Sequence, residues 1–134
     1  MRVLIDTNVV LDFLLEREPF VESAAKLFQQ IDRGQIEGFI TATTITNIYY
    51  ILRKAAGSTI AIDAVSQIMT DLNISMVDRQ ILKQAVDLNF QDFEDAVQYS
   101  CAVASQVDAI ITRDTSGFVA AKIPVISPDE LNTI

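Results

Sequence analysis

The residues of this chain best suited to chemistry are four aspartates. Asp6 follows Val3-Leu4-Ile5 directly and precedes Thr7-Asn8. Asp92 and Asp95 lie three positions apart, and Asp114 follows Ala109-Ile110-Ile111-Thr112-Arg113. Carboxylates brought to one point repel each other unless a cation sits among them. An all-oxygen donor set suits Mg²⁺ or Mn²⁺, which keep several waters and accept phosphate oxygens. An ion held this way activates water and neutralises charge on a phosphodiester. The chain contains no histidine, which excludes Ser-His-Asp triads, Cys-His pairs and His-rich zinc sites. Its 18 acidic and 10 basic residues give a net charge of −8. That sign is wrong for a protein that coats nucleic acid, but not for one that brings a divalent ion to it.

Each aspartate has a plainer role open to it. Asp6 can cap a helix that starts at Thr7-Asn8. Asp92 and Asp95 can share a face at the start of a helix, where its dipole favours negative charge, or serve as its N-cap and third-position acid. Asp114, before Thr115-Ser116-Gly117, can be a turn residue. What distinguishes the set is its placement. Arg2–Ile5 and Ala109–Thr112 read as short buried strands, so Asp6 and Asp114 both fall at strand carboxyl ends.

The elements around them alternate in type. Apolar residues at 20, 21, 24, 25, 27, 28 and 31 give Pro19–Arg33 a helical period, with Gly34 as its stop. Gly38–Thr41 reads as a strand. Ile45, Ile48, Tyr49 and Leu52 mark a helix closed near Gly57, and Ser58 can cap another running to about Leu72. Ile74–Val77 reads as a third strand, Asp78 can cap a helix reaching about Asp87, and Asp92 can cap one reaching about Gln106. Lys122–Ile126 is a short fifth strand, with Ser127-Pro128-Asp129-Glu130 opening a last small helix. Alternating strands and helices imply parallel pairing in a three-layer α/β/α sandwich with a mainly parallel five-stranded sheet. Active sites in such sheets collect at the strand carboxyl ends.

The 134 residues, half of them hydrophobic, suit one compact domain spanning 1–134. No apolar stretch approaches the length of a membrane span, and the N-terminus lacks the pattern of a signal peptide. Cys101 has no cysteine partner and fits a small apolar packing role. A cytoplasmic protein is the simplest expectation.

The chain resembles PIN-domain nucleases, and within them the small bacterial VapC-like branch. The resemblance is carried by Val3-Leu4-Ile5-Asp6-Thr7-Asn8-Val9, Asp92-Phe93-Glu94-Asp95-Ala96 and Ile111-Thr112-Arg113-Asp114, in order, across residues 2 to about 130. It implies Mg²⁺- or Mn²⁺-dependent cleavage of RNA, single-stranded RNA as substrate, an antitoxin protein as partner and a homodimer. By that analogy Asp6, Asp95 and Asp114 are the catalytic metal ligands. Asp92 is a fourth acid, Thr112 a hydroxyl of the same pocket, and Asn8 a supporting or substrate contact. Arg113 is the best-placed residue for a substrate phosphate. One position departs from the pattern: Asn47 stands where the family usually carries a glutamate. Asparagine coordinates through its carbonyl oxygen but brings no charge and cannot act as a base. A nuclease-like module that binds RNA or protein through a weakened site is therefore the competing reading. A receiver-like phosphoryl-transfer domain fits poorly, because Lys122 stands at the start of the last strand rather than beyond its end.

Overall fold

The computed structural model describes residues 1–118 and 121–132. Its sheet contains β1 (Arg2–Ile5), β2 (Glu37–Thr41), β3 (Asn73–Ser75), β4 (Ala109–Ile111) and β5 (Val125–Ile126). They lie side by side in the order β3-β2-β1-β4-β5, and all four pairings are parallel. The helices are α1 (Thr7–Leu14), α2 (Val21–Asp32), α3 (Ala42–Ala56), α4 (Ser58–Asp71), α5 (Arg79–Leu88), α6 (Phe93–Ala104) and α7 (Pro128–Asn132), with one 3₁₀ turn at Thr115–Phe118. This is the three-layer α/β/α sandwich expected from the alternation of elements.

The central strands are buried on both faces, which is why they read as unbroken apolar runs. Val3, Leu4, Ile5, Ile110 and Ile111 are each 0% exposed. Side chains alternate across a strand, so Val3, Ile5 and Ile111 join the layer of α1 to α4. Leu4 and Ile110 face Tyr99 and Ala102 of α6. Burial of each such side chain stabilises the fold by about 1.5–3 kcal/mol.

The chain leaves β1 for β2 and β3 on one side and returns to β4 and β5 on the other. That reversal opens a crevice at the carboxyl end of β1, the place where open parallel sheets bind ligands.

Several boundaries differ from those expected. The third strand is Asn73–Ser75 rather than Ile74–Val77. Its partner β2 ends at Thr41, opposite Ser75, and leaves Met76 and Val77 nothing to pair with. The fifth strand contracts from Lys122–Ile126 to Val125–Ile126 because β4 is only three residues long. Ser58 does not cap α4 but is its first residue. Gly57, at φ 93°, closes α3 and opens α4 in a single step, a backbone state that glycine reaches without strain. The helix after Asp6 extends through Leu14 and buries Val9, Val10 and Leu11. Capping and burial there outweigh the weak helix propensity of two adjacent valines. Asp78 and Asp92 cap α5 and α6 as expected, accepting from the backbone N–H of Ile81 and Asp95. Tyr49 packs on the core while Tyr50 is exposed.

Candidate active site

Asp6 links β1 to α1 and is buried. Its Oδ1 accepts the Thr7 backbone N–H at 2.7 Å and Gln98 Nε2 at 2.8 Å. Its Oδ2 accepts the Thr112 hydroxyl at 2.8 Å. The carboxylate is therefore both a helix cap and a fixed group at the mouth of the crevice. Thr112, fully buried at the end of β4, also accepts the Asp114 backbone N–H at 3.2 Å. One hydroxyl thus ties the ends of β1 and β4 together.

The N-terminus of α6 brings three acids to the same place. Asp92 Oδ1 accepts the Asp95 backbone N–H at 3.0 Å, making Asp92 the N-cap. Asp95 is partly buried in the first turn. Burial raises its carboxyl to a pKa of about 7, helped by the charges of Asp92, Asp6, Glu94 and Asp114. Burial also raises Glu94, with Asp6 and Asp92 adding to the effect, while hydrogen bonds from Asn47 and Thr7 oppose it. Asp114 forms a turn in which Oδ1 accepts the Ser116 hydroxyl at 2.6 Å and its backbone N–H at 3.2 Å. Asp92, Asp95, Asp114, Ser116 and Gly117 line one open cleft of about 570 Å³. Gly117 gives the Asp95 carboxylate its room, because a Cβ at that position would push it aside.

The structure thus gathers Asp6, Asp92, Asp95, Asp114 and Thr112. Asn8 sits at the rim, where its Oδ1 accepts the Arg113 backbone N–H at 3.4 Å and its Nδ2 approaches the Thr112 hydroxyl at 3.5 Å. Asn47 reaches the site from α3, donating from Nδ2 to Glu94 Oε1 at 3.2 Å. Arg113 is turned elsewhere. Its guanidinium donates to both oxygens of buried Asp12, at 2.8 and 3.1 Å, and lies 4.0 Å over the Phe20 ring.

Comparison with known proteins settles the family. A family model described as PIN domain matches residues 2–116. The chain belongs to the PIN-domain family. Within it the chain is VapC-like: it is 25% identical over 134 residues to ribonuclease VapC1 of Aquifex aeolicus, covering 96% of this chain and 92% of that protein. The fold superposes on VapBC2 from Rickettsia felis bound to a promoter DNA fragment, with a TM-score of 0.74, 12% identity, and 95% and 98% of the two chains covered. It superposes likewise on a toxin–antitoxin complex from Klebsiella pneumoniae, with a TM-score of 0.70, 23% identity, and 94% and 97% covered.

Three residues of this PIN site escape a reading of the sequence. Gln98 is 1% exposed, bonds Asp6 through Nε2, and has no partner for its Oε1 among the described residues. Its only sequence signal is its position one turn after Asp95. Glu94, exposed at the surface, reads only as a neighbour of Asp95 until α3 brings Asn47 to its Oε1. Gly117 reads as a turn glycine until its distance from Asp95 is known. The donor set fits a hard divalent cation: every candidate ligand is an oxygen, and the carboxyls lack a neutralising charge. Among the described residues no three acidic side chains already stand at ligating separation. Asp6, with three bonds accepted, keeps lone-pair capacity for an ion.

Proposed function

We propose that this chain is a divalent-metal-dependent endoribonuclease of the VapC type, hydrolysing phosphodiester bonds of single-stranded RNA. The observation that carries the reading is the convergence of Asp6, Asp92, Asp95 and Asp114 at the carboxyl end of the sheet. Asp95 is pushed up to about 7 there, and none of the four has an ion pair among the described residues. Mg²⁺ or Mn²⁺ would supply charge neutralisation at phosphorus and an activated water. Asp6, Asp95 and Asp114, with Asp92 behind them, would hold it. Thr112 and Gln98 orient the Asp6 carboxylate toward that task. Asp95 must lose its proton before it can ligate. Asn8 and Asn47 border the pocket, while Arg113, committed to Asp12, braces the rim rather than meeting the phosphate.

The VapC1 relative and the toxin–antitoxin complexes of similar fold support a toxin role, with an antitoxin as partner. A homodimer and a cytoplasmic setting belong to the same reading. No helix among the described residues is long and apolar enough to cross a membrane.

The neutral Asn47 favours one rival: a binding module with a disabled site. Titration of Mg²⁺ and Mn²⁺ into the protein with labelled single-stranded RNA separates the two. Cleavage should appear with either ion and vanish with chelator. Asp6→Asn should lower it by more than about 100-fold, beyond the loss typical of an outer-shell partner, while leaving the fold intact. Equal cleavage by Asp6→Asn, or none by the native protein with either ion, would sink the assignment.

A further inference from the structure

Asn47 stands on the second turn of α3, where the family resemblance calls for an acid. Across the crevice, Glu94 stands in the first turn of α6. Asn47 Nδ2 donates to Glu94 Oε1 at 3.2 Å, a contact between residues 47 positions apart in the chain. Glu94 and Gln98 are four apart on α6 and so share a face. Gln98 on that face bonds Asp6, and the Asp6 charge also acts on the Glu94 carboxyl. Glu94 is therefore directed at the same corner as the Asn47 amide.

The helix alone does not need this charge. Asp92 already caps α6 and Asp95 already supplies first-turn acidity. A glutamine at 94 could keep the bond to Asn47 and escape repulsion from Asp6 and Asp92. A carboxylate added to an already repulsive cluster gains its use when a cation is present.

We propose that Glu94 supplies the acid missing from the α3 corner, delivered from the opposite wall and held in place by the Asn47 amide. The inference rests on the metal-nuclease reading above and deepens it, since Asn47 then marks a relocated acid rather than a disabled site.

The test is calorimetric titration of Mn²⁺ into the native protein, Glu94→Gln, the double variant Asn47→Glu/Glu94→Gln, and Asp6→Asn, at pH 8. Glu94→Gln should weaken Mn²⁺ binding by about 10–100-fold, the range for groups that support a metal site. Its melting temperature without metal should be unchanged or higher. The double variant should recover most of the lost affinity, which a merely structural role for Glu94 would not produce. Native affinity in Glu94→Gln, with affinity lost in Asp6→Asn, would overturn the role of Glu94 and leave the nuclease reading standing. A loss that Asn47→Glu fails to restore would overturn the relocation. A native protein that takes up no Mn²⁺ would overturn both readings.

Discussion

A lone buried carboxylate, Asp12, and a cluster of five are treated in opposite ways. Asp12 is 2% exposed and almost fully neutralised: Arg113 grips both its oxygens, Arg17 stands 3.7 Å away, and Phe20 covers the Arg113 guanidinium. Asp6, Asp92, Glu94, Asp95 and Asp114 face one another with no ion pair among the described residues. Arg113 and Asp114 are adjacent, yet the cation goes to the structural group and the acid to the open one. A carboxylate with its own cation holds a fold together. A cluster without one is poised for a cation from outside.

The sharpest way to break this contrast is to neutralise one acid in each group. Asp12→Ala leaves two arginines facing a buried gap. Loss of one partner of a fully buried pair costs about 3–5 kcal/mol. Because the Arg113 and Arg17 side chains are 34% and 38% exposed, about 2–3 kcal/mol is expected from denaturant unfolding. Asp95→Asn should act the other way and raise the stability of the metal-free protein. If both substitutions destabilise alike, the contrast fails.

The pH dependence gives a second, smaller contrast. The Asp95 carboxyl is raised from 3.8 to about 7 by burial and then by its acidic neighbours. The folded state therefore holds a proton that the unfolded chain releases first. That contribution to stability is complete below about pH 4 and is lost as pH rises to 7. The melting temperature of the metal-free protein should fall across that window, and Asp95→Asn should flatten the fall. Mn²⁺ affinity should rise over the same range, because the ligand must be deprotonated. A melting temperature that climbs toward pH 7 equally in both proteins would contradict this.

The smallest expected effect is at Gly117. A methyl group there meets the Asp95 carboxylate and should displace it without touching the core. Gly117→Ala should weaken Mn²⁺ binding by about 10-fold, the low end for disturbing a metal site's support. Its unfolding midpoint should stay close to the native value. Unchanged affinity would mean that Asp95 is not a ligand.

Much of this architecture was legible in the sequence because the physics there is local. Val3-Leu4-Ile5 and Ala109-Ile110-Ile111 carry the unbroken apolar pattern of buried strands, which set Asp6 and Asp114 at strand ends, and Asp92 stood where it could cap the helix that follows it. What stayed hidden depends on contacts distant in sequence. Asn47 reads as a defect until Glu94 is seen opposite it. Asp12 carries no sequence signal of its pairing, because its partner Arg113 lies 101 positions away. Arg113 reads as a phosphate contact for the same reason. The third and fifth strands are shorter than their patterns suggest because their ends are set by the lengths of β2 and β4, which pattern within a segment does not report.

The central claim is that the unpaired acids, and not the paired one, take up a divalent cation. Anomalous diffraction from crystals soaked in Mn²⁺ tests it most directly. A peak is expected at ligand distance from the Asp6 and Asp95 carboxylates, absent in Asp6→Asn. No peak there in the native protein, or one at Asp12 instead, would contradict it.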